Sequence, residues 1–174
     1  MKEEELKPLV DSWRSANPNI VRLWGEIERA AIHVIKTKEP QQVKCLRFTY
    51  QSGFLFIQLP SGRKLAYVKP RLGENQFGGT SITYEGVGGT KKWERLESFG
   101  GKLIQAISRD ILCYATRTLR CCSIVMHVHD ELIIEADPRV SLEAICEQMG
   151  RTPPWTPGLV LRADGFNSEF YMKD

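Results

Sequence analysis

Apolar residues recur at helical spacing through the first 36 residues of the chain. A helix predicted over residues 2–15 carries Leu6, Leu9, Val10 and Trp13 on one face. After the break at Asn17-Pro18-Asn19, a second apolar face starts at Ile20 and predicts a helix to about Lys36, with Pro18 at its start. The chain therefore begins with two amphipathic helices.

Between residues 45 and 95 the pattern changes to short, aromatic-rich segments separated by glycine-containing turns. Strands are predicted over residues 45–50, 54–59, 64–68 and 81–87. Gln51-Ser52-Gly53 joins the first two as a hairpin, a loop with Pro70 and Gly73 precedes the last, and Gly88-Gly89 turns the chain again. This region is predicted to be an antiparallel meander.

The last third of the chain returns to helical periodicity. A helix is predicted over residues 101–120, then strands over 122–128 and 131–136, a short helix over 140–149 and a last strand over Leu159–Ala163. The whole pattern predicts an α+β fold. We divide it into a helical segment (1–40), a β-meander (41–95) and a third segment with a β-hairpin (96–174).

Composition excludes several classes of protein. With 42% hydrophobic and 26% charged residues, the chain is an ordinary globular sequence and not disordered, collagen-like or rod-like. No apolar run approaches the roughly 18–20 residues that cross a bilayer, and the start Met1-Lys2-Glu3 is not a secretory signal. Five cysteines without metal-binding spacing predict free, buried thiols in a reducing cytoplasm.

Charge is distributed unevenly along the chain. The formal net charge is +3, but residues 1–120 hold 20 basic and 12 acidic residues, whereas residues 121–174 hold four and nine. The first part is therefore +8 and the second −5. A basic body suits nucleic acid, and scattered solvated charge is the open alternative.

The sharpest chemical feature is His129-Asp130-Glu131, which lies between two apolar β-segments. A tight hairpin normally places Asn-Gly or Asp-Gly at its tip. Adjacent acids at this tip therefore indicate a role other than forming the turn. Carboxylate oxygens suit Mg²⁺, which usually shares its site with substrate phosphates. The alternative is a hairpin tip that is simply charged.

A second feature lies on the helix predicted over residues 101–120. Lys102, Gln105 and Arg109 are spaced i, i+3 and i+7 and share one face. Lysine and arginine can neutralise phosphates, and glutamine can contact base edges in the minor groove. The alternative is a solvated helix face.

Val128-His129-Asp130-Glu131 after an apolar strand resembles motif C of the family A DNA polymerases, and the chain is similar to the C-terminal part of their phage and prophage branch. Five further stretches carry this resemblance: residues 10–20 (VDSWRSANPNI), 59–63 (LPSGR), 81–86 (SITYEG), 99–110 (FGGKLIQAISRD) and 152–159 (TPPWTPGL). Their common order extends the resemblance over essentially the whole chain.

The resemblance implies a role for each matching residue. Asp130 is the palm carboxylate that binds catalytic Mg²⁺, one of two such ions, and Glu131 is its supporting acid. His129 approaches the primer end, Gln105 lies at the minor groove of primer–template DNA, and Lys102 is close to a basic position of the same helix. The implied substrates are primer–template DNA and a deoxynucleoside triphosphate.

The sequence also departs from the family pattern. Motif A (Asp-Tyr-Ser-x-x-Glu), with the second essential carboxylate, and motif B of the fingers are absent, and about four residues are missing after Leu103. We therefore expect no polymerisation by the chain alone. A partner chain carrying motifs A and B, or a second copy paired through an exposed sheet edge, is expected instead.

Two other functions stay open at this point. The first is a non-catalytic remnant or split subunit that binds DNA through the basic body. The second is a metal-dependent hydrolase that combines the His129–Glu131 tip with acids elsewhere, for which the sequence offers Glu94, Glu97 and Asp110.

Overall fold

The computed structural model describes residues 3–74, 78–86, 93–95 and 99–172. The chain forms two compact units, Met1–Ile104 and Gln105–Asp174. The elements in order are α1 (Glu3–Ala16), α2 (Pro18–Thr37), β1 (Gln41–Val43), β2 (Leu46–Gln51), β3 (Phe54–Gln58), β4 (Lys64–Glu74), β5 (Thr80–Glu85), β6 (Trp93–Arg95), α3 (Phe99–Thr118), β7 (Ser123–Val128), β8 (Glu131–Glu135) and α4 (Leu142–Met149). The predicted α+β class is confirmed.

Helix α2 forms where the apolar periodicity predicted it. Pro18 occupies its first turn, where the missing N–H has no helical partner to lose. Lys38 caps the C-terminus of the helix with a left-handed backbone (φ 66°), and its N–H donates to the Val34 carbonyl. Ile27, Ala31 and Val34 are almost fully buried, so the apolar face of α2 packs into the core of the first unit.

The six strands described in the first unit pair with their neighbours in sequence order, all antiparallel. The β2–β3 hairpin closes on the pair Gln51–Phe54. Its two loop residues, Ser52 and Gly53, both have positive φ (51° and 84°), as a type I′ turn requires. The sequence prediction of a hairpin at this place is confirmed.

One face of this sheet is buried. Phe48, Leu55 and Ile57 have no exposed surface, and the register places them on the same side. Phe99, at the start of α3, packs edge-on against Phe48 and Tyr67. Burial raises the pKa of the Tyr67 phenol, as expected for an acid in apolar surroundings.

The other face of the sheet is turned to solvent. The cross-strand pairs Thr49–Phe56 and Phe56–Ala66 define this side, which also carries Phe54 and Lys64. We call it the outer sheet face, and its residues in β2, β3 and β4 are Arg47, Thr49, Gln51, Phe54, Phe56, Gln58, Lys64, Ala66 and Val68.

Strand β4 differs from the prediction, because it continues to Glu74 through the residues expected to form a loop. The pairing with β5 shifts between Val68 and Arg71, and Lys69 has a left-handed backbone (φ 45°). This irregularity accommodates Pro70, which cannot donate to a regular ladder. The short strands β1 and β6 were not predicted, and the expected Gly88-Gly89 turn lies outside the described residues.

The second unit contains most of α3, the β7–β8 hairpin and α4. The Ser141 hydroxyl accepts a hydrogen bond from the Ala144 N–H (3.2 Å) and caps α4. The predicted strand over Leu159–Ala163 is wrong, because these residues form no strand. Locally, the Leu159 carbonyl accepts a hydrogen bond from the Thr152 hydroxyl (2.7 Å). The Leu159 N–H donates to the Thr156 carbonyl.

The cysteines form no disulfide among themselves, as predicted. Their expected burial is wrong for Cys45, Cys113 and Cys121, which are exposed. Across the described part of the chain, no helix combines the length and apolar character that spanning a membrane requires.

Candidate functional site

The predicted motif lies on the β7–β8 hairpin, whose strands are rich in β-branched residues. The last ladder pair is Val128–Glu131, so His129 and Asp130 alone form the loop. Side chains of both loop residues and of Glu131 are exposed. The local fold therefore projects an imidazole and two carboxylates from one tip into solvent.

The tip has an unusual backbone. His129 has φ 50°, in the left-handed region where hairpin loops normally place glycine or asparagine. A side chain in this region costs roughly 1–2 kcal/mol relative to ordinary geometry. Lys38, Lys44, Ser52 and Lys69 also have positive φ, so this geometry recurs at other turns of the described chain.

A bulge organises the two faces of the hairpin. Register shifts between Ile124 and Met126, leaving Val125 without a ladder partner. Because Ile124 pairs with Ile134 and His127 pairs with Leu132, the bulge places Ile124 on the same face as His127 and Leu132. Val125 and Met126 are largely exposed (56% and 42%), so the hairpin keeps apolar side chains in contact with water.

The tip carries two carboxylates, and Mg²⁺ is usually held by one or two carboxylates together with water and substrate phosphates. Asp130 and Glu131 offer the hard carboxylate oxygens that Mg²⁺ prefers. Among the residues that the structure describes, however, no group of three or more histidine, cysteine or acidic side chains is arranged to hold a metal ion.

Helix α3 carries the second predicted set. Lys102, Gln105 and Arg109 are all exposed, and their spacing places them on one stripe of the helix. Leu103 and Ala115 are buried, so the helix separates a polar stripe from an apolar one as its periodicity predicted. Lys102 belongs to the first unit, whereas Gln105 and Arg109 belong to the second.

Sequence reasoning missed the geometry of Gly100 and the burial of Asp110. A Cβ on Gly100 would collide with the indole ring of Trp24, so only glycine allows this close approach. Asp110 is 8% exposed and interacts with a partner, so it is not a free acid for a hydrolytic site. The sequence shows Phe99-Gly100-Gly101 and Arg109-Asp110. It does not show that Gly100 packs against a ring or that Asp110 is buried.

The chain is 44% identical to a DNA polymerase of Bacillus phage SP02, in an alignment that includes all of its residues. The chain is therefore homologous to a segment of a phage DNA polymerase. It spans 28% of the length of that relative. The resemblance to a polymerase is confirmed at this level, whereas the assignment to family A stays a prediction.

The alignment covers 184 positions against 174 residues of the chain, so the phage polymerase carries residues that have no counterpart here. No family model matches the chain, and no solved structure matches it.

Proposed function

We propose that the chain is the part of a family A-type DNA polymerase that carries one catalytic carboxylate. The observation that carries this proposal is the exposed His129-Asp130-Glu131 tip within a chain homologous to a phage polymerase. Template-directed nucleotidyl transfer needs carboxylates that hold Mg²⁺ against substrate phosphates. The tip presents two exposed carboxylates at the end of the β7–β8 hairpin.

Each predicted residue has a specific role in this proposal. Asp130 coordinates Mg²⁺, and Glu131 supports it as a neighbouring acid. His129 contacts the primer end. The α3 stripe of Lys102, Gln105 and Arg109 contacts DNA, with the two cations on phosphates and the glutamine at the minor groove.

The reaction needs more than this hairpin. Two-metal phosphoryl transfer uses ions about 3.5–4 Å apart, which stabilise both the attacking and the leaving oxygens. We propose that the second carboxylate and the triphosphate-binding lysine come from a polymerase region that carries motifs A and B. In their absence the chain does not extend a primer.

The hairpin has the edges that such a completion requires. Within the described residues, β7 and β8 form a sheet of two strands, so each leaves one edge without a ladder. A two-stranded sheet alone is marginally stable, and open strand edges pair readily with added strands. Strands from the motif A region, or from a second copy of the chain, fit this edge.

The test is reconstitution of primer extension. The chain is mixed with a polymerase segment that carries motifs A and B, together with Mg²⁺, nucleotides and a labelled primer–template. Extension is expected in the mixture alone, and Asp130→Asn should lower its rate at least about a hundredfold, because metal stabilisation of the transition state contributes several kcal/mol.

Glu135→Gln is the matched control, since Glu135 is an exposed acid at the opposite end of the same hairpin. It should leave the rate unchanged. Full activity of the Asp130→Asn mixture would contradict the catalytic role of the tip.

A second candidate function is DNA binding without catalysis, which the +8 charge of residues 1–120 favours. Affinity of the chain for duplex DNA should then fall steeply with salt, because each neutralised phosphate releases counterions. Duplex binding without primer extension in the reconstituted mixture would favour this candidate over the first.

A further inference from the structure

The outer sheet face carries a pair of stacked aromatic rings that no catalytic role explains. Phe54 and Phe56 lie on β3 with ring centroids 5.6 Å apart and planes 16° from parallel. Both are partly exposed, whereas the phenylalanine of the opposite face, Phe48, is completely buried. The pair is therefore placed at the surface and not in the core.

The neighbours of this pair keep its surface open. Phe56 lies between Thr49 and Ala66 in the ladder, and neither of these is large enough to cover a phenyl ring. Phe54 lies between Gln51 and Val68. Each ring therefore keeps part of its surface in contact with water, where another planar group can stack.

Two cations lie on the same face as the pair, and the acid of that face, Glu85, which is opposite Val68 in the ladder, is ion-paired with Lys69 (2.7 Å). The Lys64 ammonium lies 5.9 Å from the centroid of Phe56, and Arg47 is exposed on the same face. The meander over residues 41–95 holds nine basic and three acidic residues, a net charge of +6. This surface is complementary in charge to a polyanion.

We propose that the outer sheet face binds single-stranded nucleic acid, with bases stacked on Phe54 and Phe56 and the phosphate backbone near Arg47 and Lys64. Aromatic rings on a sheet within a basic surface are the combination that holds unpaired bases. Duplex DNA cannot stack its bases on these rings, because its bases are already stacked on one another. The proposal is independent of the catalytic role of Asp130.

The test measures the affinity of the full chain for a fluorescent 20-nucleotide oligo(dT) by anisotropy, in EDTA and without nucleotides. The double variant Phe54→Leu/Phe56→Leu keeps apolar side chains but removes both rings. It should bind roughly ten- to a hundredfold more weakly, since loss of base–aromatic stacking weakens binding by this order. Phe54→Tyr/Phe56→Tyr keeps the rings and should retain the affinity.

Three controls separate stacking from charge and folding. Phe170→Leu removes an aromatic ring that is 72% exposed outside the sheet and should have no effect. An abasic oligomer with the same phosphates should bind the unaltered chain as weakly as oligo(dT) binds the leucine variant. Lys64→Ala should reduce the salt dependence of binding, while circular dichroism and the urea midpoint confirm that each variant is folded.

Several results would overturn the proposal. These are no binding of oligo(dT) by the unaltered chain, equal affinity of the leucine variant, or equal affinity for the abasic oligomer. A homodimer that dissociates on replacement of Phe54 and Phe56 would also overturn it, because the face would then be an interface between copies. Because the assay contains no metal, loss of this binding and loss of primer extension by Asp130→Asn are separate outcomes.

Discussion

The two units of the chain differ in how they bury apolar surface. Of the sixteen buried hydrophobic residues in the described chain, fourteen lie in the first unit and two, Ala115 and Leu119, in the second. Both units expose large apolar side chains, among them Leu9 and Ile104 in the first and Val125, Met126 and Val160 in the second, the last at 92%. The first unit has a core of its own, and the second carries the candidate catalytic tip on a scaffold with little core.

This difference agrees with the proposed completion of the polymerase. Large exposed apolar side chains commonly mark surfaces that contact another protein segment. In the described part of the second unit they accompany the open edges of the two-stranded β7–β8 sheet. The first unit also exposes the apolar stripe of α1 (Leu6, Leu9, Val10 and Trp13), but α2 packs against its sheet and it has a core of its own.

The largest expected effect is a core truncation in the first unit. Leu55 is completely buried, so Leu55→Ala should lower the free energy of unfolding by about 2–5 kcal/mol. Urea denaturation followed by tryptophan fluorescence measures it. Val125→Ala, at an exposed position of the second unit, should change this value by less than about 0.5 kcal/mol. Similar losses from both variants would contradict the contrast between the units.

The next effect concerns two adjacent glycines of α3. Gly100→Ala places a methyl group against Trp24 and should destabilise the first unit by about 1–3 kcal/mol through overpacking. Gly101→Ala meets no described atom within 4 Å and should stabilise the helix by about 0.5–1 kcal/mol. Thermal unfolding measures the change in stability of each variant. A gain in stability for both variants, or a loss for both, would refute the close packing of Gly100 on Trp24.

A smaller effect tests the strained tip of the second unit. His129 has a positive φ, so His129→Gly should stabilise the hairpin by roughly 0.5–1 kcal/mol. Asp130 is not among the positive-φ residues, so Asp130→Gly should weaken the hairpin instead. Hydrogen exchange of the β7 and β8 amides measures the hairpin stability of both variants. Slower exchange in Asp130→Gly than in His129→Gly would contradict backbone strain at His129.

The smallest effect is electrostatic and compares one exposed ion pair in each unit. In the second, hydrogen bonds from Arg139 lower the pKa of Asp137, which contributes stability above its unfolded pKa and loses it as pH falls. Arg139→Ala should return this pKa toward its ordinary value in an NMR titration. The pKa of Asp11 in the first unit, lowered by Lys7, should not change. An unaltered Asp137 titration would exclude Arg139 as the cause.

The elements predicted well from sequence are those with a clear period. Helices α1, α2 and α3 follow continuous apolar stripes, and the β2–β3 hairpin has the glycine that its turn requires. Strand β4 was shortened in the prediction because Pro70 and Gly73 normally end a strand, and a bulge at Lys69 cannot be read from local composition. The last predicted strand had a suitable apolar pattern, but a strand also needs a paired neighbour, which its own residues do not specify.

The candidate site was only partly accessible to sequence reasoning. The exposed Asp130 and Glu131 tip and the α3 stripe were predicted from spacing and resemblance, and their catalytic roles remain predictions. The stacked Phe54 and Phe56 pair was not recognised, because alternation along β3 does not reveal which face α2 covers. The left-handed His129 was also missed, because turn preferences favour glycine or asparagine there.

The most direct test of the catalytic assignment is a chimera. The segment of the Bacillus phage SP02 polymerase that matches this chain, 28% of its length, is replaced by the 174 residues, and single-turnover primer extension is measured with Mg²⁺. The account predicts an active chimera that Asp130→Asn inactivates and Glu135→Gln does not. A folded, DNA-binding chimera that cannot extend a primer, or one that keeps its full rate with Asp130→Asn, would contradict it.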